Sequence, residues 1–434
     1  MECPAKHDEG IPWTQLAFSG LVLLALGSNE AFAGGLSFME HGAKAAGMAN
    51  AFAGQADDPS ALFYNPAGMT QLPGTQVLVG SAMVYFDALF RSSTTGEATE
   101  LQDHFLLIPH LFLTHRFTQW DERLSIGLGI FSPFGTAIDW PDTWQGRFNS
   151  TNAKLRVTLY NPTLAFQATP TLSVAAGLRY ADVAAEFEQQ VNLGTGESKL
   201  RGYGLTARPI GWNAGLRYRL TETTSVGLQF LSELQAKLKG QADITGPAAA
   251  GLGSGTGFAR VGFHSRIKLP PQVIVGLSTK IVPRWTINAD VAWEGWKTLG
   301  SLPRDFLGST ALDSVSARLW NNSWAYRVGA EFAATERVAL RGGYFYDETP
   351  IPDNTFDANI PSANLHALTA GVGYRWDRIG VDLAYLLGLY EKRSIDRSTL
   401  DPNNSGGALG LGPPAFGSYS TMTHVLTASL TFKF

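Results

Sequence analysis

The chain has 434 residues, a formal net charge of −4 and charged side chains at only 16% of its positions. This near balance of charge gives no electrostatic reason to expect a nucleic acid partner. The mean hydropathy is −0.02, and no apolar run reaches the roughly 18 residues that a membrane-spanning helix needs, so a polytopic helical membrane protein is excluded.

Residues 1–33 have the pattern of a secretory signal peptide. The apolar stretch from Leu16 to Leu26 is too short to span a bilayer, and Ala31-Phe32-Ala33 forms an A-x-A cleavage site before Gly34. A buried helix is the alternative for this stretch. The positive segment that should precede a signal peptide's apolar stretch is weak here, with Lys6 against three acidic residues. Cleavage would leave 32 basic and 33 acidic residues and would remove Cys3, the only cysteine. The exported chain is therefore predicted to have no disulfide.

Residues 34–73 are predicted to form a small helical domain, which we call the hatch. The small residues from Ala43 to Phe52 predict a short, closely packed helix. Asp58-Pro59 and Asn65-Pro66 each place a capping side chain before a proline at a first helical position. A tail in the periplasm is the alternative arrangement for this segment.

Residues 74–434 contain about fourteen segments in which apolar and polar side chains alternate, as in the strands of a membrane barrel. The segments are connected alternately by short turns and by long links rich in Gly, Ser and Asn. This pattern is typical of a membrane barrel with short periplasmic turns and large external loops. The predicted fold class is all-β, a 14-stranded antiparallel transmembrane β-barrel. Its lumen is too wide for wall side chains to fill, so the hatch is predicted to lie inside it. The segments lie near 75–90, 104–118, 123–132, 154–169, 171–190, 208–221, 223–238, 258–282, 284–298, 320–334, 336–348, 363–377, 378–392 and 420–434.

Individual strands show which face each side chain takes. In the ninth segment every second residue from Trp285 to Trp293 is apolar, with tryptophan at both ends, which predicts a lipid face with aromatic girdles. The last strand, Thr423 to Phe434, alternates in the same way and ends on an aromatic residue. The first two strands are apolar on both faces, which favours a packed plug or an oily passage over a polar pore. Four inward charges are predicted to pair across the lumen: Arg179, Asp290, Glu294 and Asp382.

The run from Gly47, GMANAFAGQADDPSALFYNPAGM, resembles the N-terminal hatch of the FadL family of outer-membrane transporters for long-chain fatty acids and aromatic hydrocarbons. Asn65-Pro66-Ala67 matches the family's NPA motif. The stretch from Gly129 to Gly135 and the stretch from Trp140 to Phe148 resemble the family's third-strand kink and the start of its third external loop. The order and spacing of these motifs extend the resemblance over nearly all of the mature chain.

The resemblance implies passive uptake of hydrophobic molecules in three stages. External loops capture the solute, a lumen site beside the hatch binds it while the hatch residues from Gly34 onward are displaced, and a gap in the third strand releases it sideways. Pro133 lacks the N–H that a strand ladder needs, and with Gly135 it is predicted to bend or interrupt that strand. On the residues alone, Pro133 equally fits the end of the strand. The resemblance places the gap near Ser132.

Five aromatic residues cluster around the kink and in the loop beyond it. They are predicted to line the substrate pathway, and membrane-interface aromatics are the alternative. Arg147, in the same loop, either meets a substrate carboxylate or is solvated. The five residues are Phe131, Phe134, Trp140, Trp144 and Phe148.

No catalytic motif, metal site or cofactor is predicted. Linear hydrolase, metalloprotease, thiol and P-loop motifs are missing from the sequence, although an outer-membrane lipase needs no linear motif. His104 and His110 share a strand face but stand about 20 Å apart, too far for one metal. A diffusion channel for polar solutes is the second functional prediction, and an adhesin or structural barrel the third. The expected partners of the monomer are a hydrophobic solute, outer-membrane lipid and lipopolysaccharide, with the bacterial outer membrane as its location.

Overall fold

The computed structural model describes residues 35–102, 104–117, 121–192, 194, 196–250, 257–308, 313–396 and 415–434. The predicted signal peptide and Gly34 lie outside these residues. Among the described residues, none of the helices has the length and apolar composition to cross a membrane.

The described part of the chain forms one closed antiparallel barrel of fourteen strands, which confirms the predicted fold class. Each strand pairs with the strand before it, and the first and last strands close the ring from Gln76↔Lys433 to Ser92↔Gly417. Every wall strand thus has a neighbour on each side over at least part of its described length, so none of the fourteen is an edge strand. The strands are β1 (Thr75–Ser92), β2 (Ala98–Glu100 and Phe105–Arg116), β3 (Leu124–Asp139), β4 (Asn152–Gln167), β5 (Leu172–Asn192), β6 (Glu197–Ala207 and Ile210–Arg219), β7 (Thr224–Leu231 and Leu234–Thr245), β8 (Phe258–Leu269 and Gln272–Val282), β9 (Trp285–Glu294 and Ser301–Leu307), β10 (Ser314–Ala317 and Ser323–Ala333), β11 (Val338–Asp347), β12 (Leu365–Trp376), β13 (Ile379–Tyr390 and Arg393–Ile395) and β14 (Gly417–Lys433).

Several strands extend further toward the external rim of the barrel than the sequence predicts. Alternation in β3 was expected to end at residue 132, but the strand continues to Asp139. Two predicted long links shrink to residues 93–97 and 193–196, because Glu197–Ala207 and other link segments join the ladder. We call the outer ladder segments of four strands the outer extension. They are Glu197–Ala207, Leu234–Thr245, Phe258–Leu269 and Ser301–Leu307.

Within the membrane part of the wall the side chains take the faces that the alternation predicts. Trp285 is 42% exposed, whereas Asp290 is 2% exposed and faces the lumen. In β14, Leu426 faces outward and Thr427 is buried. Apolar side chains therefore cover the lipid side, and polar side chains point at the contents of the lumen.

The outer extension reverses this arrangement. In β7 the even-numbered residue Leu228 is 40% exposed, but beyond the interruption after Leu231 the even-numbered Leu234 and Leu238 are 0% and 5% exposed. The odd-numbered Lys237 is exposed there instead. The interruption turns the strand over, so the extension has an apolar interior and a polar exterior. The polar exterior of the extension is suited to contact with water, and its apolar interior is suited to apolar contents.

The hatch occupies the lumen, and its described backbone forms short helices, turns, irregular segments and an isolated β-bridge at Ser37. It contains α1 (Ala43–Ala46), α2 (Ala61–Tyr64) and a 3₁₀ helix, Pro66–Gln71. The predicted helix from Ala43 to Phe52 is therefore wrong beyond Ala46, because Ala49 and Asn50 take positive φ values of 56° and 59°. The remaining short helices lie in the outer half: α3 (Pro247–Ala250) and the 3₁₀ helices Trp296–Thr298 and Asp353–Thr355.

Wall glycines let the hatch backbone approach the strands closely. A Cβ atom added to Gly329 in β10 would lie 2.3 Å from the Met48 carbonyl oxygen, and one added to Gly227 in β7 would lie 1.9 Å from the Ala53 carbonyl oxygen. Both contacts are with backbone atoms, which cannot swing away as a flexible side chain can. The sequence of the wall is thus fitted to the plug that it encloses.

We expect Gly329→Ala to unseat this part of the hatch, because the new methyl group would overlap the Met48 carbonyl. The free energy of unfolding should fall by about 1–3 kcal/mol, as for other overpacked cores, and ion conductance through the purified barrel should rise. Gly342→Ala is the matched control, since its Cβ would meet only the Thr369 carbonyl oxygen at 3.7 Å. Equal denaturation midpoints and conductances for the two variants would contradict this account.

Candidate functional site

Wall side chains satisfy the polar backbone groups of the hatch from many directions. Asp290 in β9 accepts hydrogen bonds from the backbone N–H groups of Phe52 and Ala53, both at 2.9 Å. Gln229 in β7 donates to the Phe63 carbonyl at 2.6 Å. These bonds matter because an unpaired backbone group buried in the lumen would cost about 1–3 kcal/mol. The hatch is therefore held in place by hydrogen bonds between its backbone and side chains of the barrel wall.

The NPA motif belongs to this attachment. Asn65 accepts a hydrogen bond from the Ala67 N–H at 3.2 Å and so caps the 3₁₀ helix that Pro66 begins. Its amide donates to the Ala53 carbonyl at 2.9 Å and to the Leu216 carbonyl of β6 at 3.0 Å. One side chain thus fixes two hatch segments and joins them to the wall.

The predicted pairing of inward charges is wrong for three of the four residues. Asp382 forms the expected ion pairs, at 2.8 Å with Arg341 and 2.8 Å with Arg375. Asp290 binds hatch N–H groups, and Glu294 accepts the Ser37 hydroxyl at 2.9 Å. Arg179 donates to the Ser232 carbonyl at 2.7 Å, at the interruption of β7. The enclosed hatch and the broken strand supply partners that a bare strand pattern does not reveal.

The wall is interrupted between β2 and β3. The described ladder between these strands runs from Arg116↔Ser125 to Leu111↔Ile130 and has no pair further outward. Between Phe131 and Phe134, β3 has a bulge that contains Ser132 and Pro133, and its pairing with β4 slips by one residue. Residues 131–136 are all buried, although alternation would expose every second one, so this stretch has left the lipid-facing surface.

The first described residues of the hatch fill the ladder positions that β2 leaves vacant. The Phe38 N–H donates to the Pro133 carbonyl at 2.8 Å, and the Gly135 N–H donates to the Leu36 carbonyl at 2.9 Å. Between these bonds Ser37 pairs with Phe134 in an antiparallel bridge. The bulge is therefore covered by a hatch segment rather than by a wall strand.

Phe131 connects the bulge to the hatch interior. Its ring lies 5.2 Å from that of Phe63 and 5.5 Å from that of His41, both in the hatch, and 5.6 Å from that of Phe112 in β2. Phe134 lies 6.2 Å from Trp296, which in turn donates its indole N–H to Glu294 at 2.7 Å. The aromatic residues at the bulge are packed and shielded from lipid.

Trp140 and Trp144 lie together at the outer rim, and Phe148 follows them in the chain; each of the three side chains is less than a tenth exposed. The two indole rings stack at 4.5 Å, and their N–H groups donate to the Ala358 and Ser150 carbonyls at 3.2 and 2.7 Å. Burial of this kind places them in a folded loop cluster rather than at a lipid interface. Arg147 contacts the ring of Phe148 at 4.7 Å and pairs with Glu197 at 2.6 Å.

Hydrogen bonds from the Arg147 guanidinium hold the pKa of the Glu197 carboxyl below its ordinary value. This ion pair therefore stabilises the loop above the ordinary glutamate pKa, and its contribution is lost as the pH falls through the lowered value. Arg147 already has an acidic partner, which leaves less of its charge for a substrate carboxylate.

Between the hatch and the rim lies a cavity of about 120 Å³ inside the outer extension. Leu36 of the hatch and apolar side chains such as Leu238 and Phe263 line this cavity. Arg304 is one of its polar lining residues. Sequence alternation did not reveal this chamber, because the reversal of β7 and β8 at their interruptions depends on three-dimensional pairing. The consecutive prolines 270 and 271 are the only local signal.

A second cavity, of about 370 Å³, lies at the opposite mouth beneath the hatch. Its lining is polar and includes Asp57, Arg217 and Lys280. The two cavities lie on opposite sides of the plug, one dry and one suited to water. Among the described residues, no three His, Cys, Asp or Glu side chains lie together as they would to bind a metal.

Comparisons with known proteins agree with this architecture. Residues 24–434 match the family model described as outer membrane protein transport protein (OMPP1/FadL/TodX). The long-chain fatty acid transport protein of Salmonella typhi is 23% identical over 85% of this chain and 90% of its own length. A Pseudomonas aeruginosa FadL homologue superimposes with a TM-score of 0.81 at 19% identity, over 92% of this chain and 100% of the other. The Ralstonia pickettii toluene transporter TbuX gives a TM-score of 0.67 at 18% identity, over 89% and 98% of the two chains.

We expect Trp144→Ala to loosen the rim cluster, because it removes the stack on Trp140 and the bond to Ser150. Loss of a buried tryptophan typically costs about 3–5 kcal/mol, so protease cleavage within residues 140–151 should accelerate in the otherwise intact barrel. Mass spectrometry of limited digests measures this. Trp212→Ala is the control, because the Trp212 side chain faces lipid and is 52% exposed. Similar cleavage in both variants would argue against a folded cluster.

Proposed function

Because the chain belongs to the outer membrane protein transport family (OMPP1/FadL/TodX), we propose that it takes up hydrophobic molecules, long-chain fatty acids or aromatic hydrocarbons, without an energy source. The solute enters among the external loops, moves into the dry outer chamber and leaves sideways through the bulge of β3 into the membrane. It undergoes no chemical change on this route, so the protein acts as a channel and not as an enzyme.

The observation that carries this proposal is the break in the ladder between β2 and β3, sealed by hatch residues 36–38. Irregular backbone at membrane depth is tolerated only where it lines a cavity or is buried in protein. Here the irregular segment faces the hatch and lies beside the outer chamber. Movement of three residues would open the wall, whereas a water-filled pore would require the whole hatch to leave.

The proposed route matches the energetics of a hydrophobic solute. Each methylene group removed from water contributes about 0.8 kcal/mol, so a long chain enters an apolar chamber readily. Release into water would cost the same free energy again. Release into the hydrocarbon of the membrane avoids that cost, and this gives a lateral exit its physical advantage over a periplasmic one.

Leu36 couples the chamber to the exit. Its side chain lines the cavity and its carbonyl oxygen accepts the bond from Gly135 at the bulge. A solute that displaces Leu36 from the chamber also strains the seal. In this scheme Ser132, Pro133 and Gly135 form the opening, Asn65, Pro66 and Ala67 anchor the rest of the hatch, and the aromatic residues of the rim support the loops that admit the solute.

The remaining parts of the proposal concern the mature protein and its surroundings. Cleavage after Ala33 would leave Gly34 as the first residue, close to the seal at Leu36, and N-terminal sequencing of the exported protein tests it. We propose that the barrel acts as a monomer with outer-membrane lipid around its wall and lipopolysaccharide around its loops. The channel for polar solutes predicts high single-channel conductance of the purified protein, whereas the sealed barrel predicts low conductance.

Replacing Ser132 with arginine tests the exit. The residue is 4% exposed in the bulge, and a large charged side chain there should block passage of an apolar solute. Uptake of radiolabelled oleate and of toluene by cells should fall at least about tenfold, the factor that corresponds to 1.4 kcal/mol. Barrel abundance in outer membranes and its heat-dependent mobility on gels should stay unchanged. Full uptake by the variant would overturn the lateral route.

A reversible lock tests the hatch seal. Paired residues of an antiparallel bridge have Cα atoms about 4.5–5.5 Å apart, within the range of a disulfide, so Ser37→Cys with Phe134→Cys should cross-link. Oxidation should stop uptake and reduction should restore it, in a chain whose one native cysteine precedes the predicted cleavage site. The control pair, Ala289→Cys with Val328→Cys, bridges two neighbouring wall strands. Unchanged uptake by the oxidised lock would show that the seal need not open.

A further inference from the structure

A patch of uncompensated positive charge lies on the exterior of the outer extension. Lys237 and Lys239 of β7 and Arg266 of β8 are exposed on this side of the wall, and we call these three residues the basic face. Among the described residues no carboxylate forms an ion pair with any of them, although Asp305 of β9 stands beside the face, opposite His264. Their positive charge is therefore free to meet an anion outside the protein.

The register of β7 and β8 places like charges directly opposite each other. Lys237 is the ladder partner of Arg266, and like charges in such positions repel and destabilise a sheet. Farther out on the same two strands the arrangement is complementary, because Asp243 stands opposite Arg260 and the two form an ion pair at 2.8 Å. An anion placed between Lys237 and Arg266 would turn their repulsion into two attractions.

The basic face lies beyond the apolar belt of the wall. The rings of Trp212 and Phe230, 4.8 Å apart, mark the outer end of that belt, and the strand exchanges its faces at the interruption after Leu231. Lys237 lies about 20 Å farther along the strand, which the usual tilt of barrel strands reduces to a height of about 15 Å. At this height the wall of an outer-membrane barrel meets the sugars of lipopolysaccharide that are nearest to its acyl chains, and these sugars carry phosphate and carboxylate groups.

We infer that the basic face binds phosphate groups of lipopolysaccharide and so holds this glycolipid at one position on the wall. The guanidinium fork of Arg266 matches two oxygens of a phosphate, and the ammonium groups of Lys237 and Lys239 add point charges around it. A lipopolysaccharide phosphate at the protein surface lacks a neighbouring phosphate with which to share a divalent cation, and the basic face supplies the missing positive charge. This inference rests on the outer-membrane surroundings of the proposed function and adds a defined site to them.

Binding of fluorescent lipopolysaccharide to the purified barrel in detergent tests the site, with phosphatase-treated lipopolysaccharide as the second probe. The wild type should bind the phosphorylated form more tightly, and added salt should weaken this binding because the face is exposed to solvent. Lys237→Gln with Arg266→Gln should weaken it at least about tenfold, the factor expected for loss of a hydrogen bond to a charged group. Binding of the dephosphorylated form should change about twofold or less.

A second variant, Lys237→Glu, separates binding from stability. Its new carboxylate would stand opposite Arg266, as Asp243 stands opposite Arg260, so like-charge repulsion gives way to an ion pair across the ladder. The denaturation midpoint should rise or stay the same while lipopolysaccharide binding falls at least about tenfold. Undiminished binding by this variant would overturn the site.

Arg337→Gln with Arg378→Gln is the matched control, because both arginines are exposed and lie in turns at the opposite end of the barrel. It removes the same charge and should leave the affinity unchanged. Equal losses in the two double variants, or equal binding of the two forms by the wild type, would overturn the inference. Displacement by an equal concentration of inorganic phosphate would show a site for a free anion and would overturn it too. Uptake of oleate and toluene is measured separately, and its absence in the wild type would overturn the proposed function while the lipopolysaccharide site stands.

Discussion

The need of backbone polar groups for partners governs this molecule. Inside a membrane the ladder of a closed barrel satisfies them, and where the described ladder between β2 and β3 stops short, β3 takes its partners from the hatch. Leu36 and Phe38 of the hatch supply these partners, so the wall is completed here by a segment that is not one of its strands.

The backbone of the hatch also needs hydrogen-bond partners from outside its own segment. Its helices are too short to satisfy their own backbone, so wall side chains such as Asp290 and Gln229 supply the missing partners. The polarity of inward residues such as these is therefore explained by the hatch that the barrel encloses. The glycines of β7 and β10 follow from the same contact, since only a residue without a Cβ admits the hatch backbone so closely. Wall and plug form one core.

The outer extension encloses an apolar chamber near the external end of the barrel. A membrane barrel has apolar side chains outside and polar ones inside, and beyond the membrane β7 and β8 turn over so that Leu238 and Phe263 face inward. This places an oily chamber at the level of the water-exposed surface, above the seal.

The sequence by itself determined the number of strands, their order, the lipid face of the membrane part and the presence of a capped, turn-rich hatch, because these follow from local periodicity and from single residues such as Asn65 and Pro66. It misjudged what depends on distant partners. The helix expected up to Phe52 stops at Ala46 where the backbone docks on wall glycines, and Asp290 and Glu294 bind the hatch instead of opposite charges. Only the tertiary structure decided that β3 passes through Pro133 to Asp139, that the hatch seals the bulge, and that the outer strands reverse their faces. Register and enclosure are set by contacts between different strands and between the wall and the hatch, which no local pattern encodes.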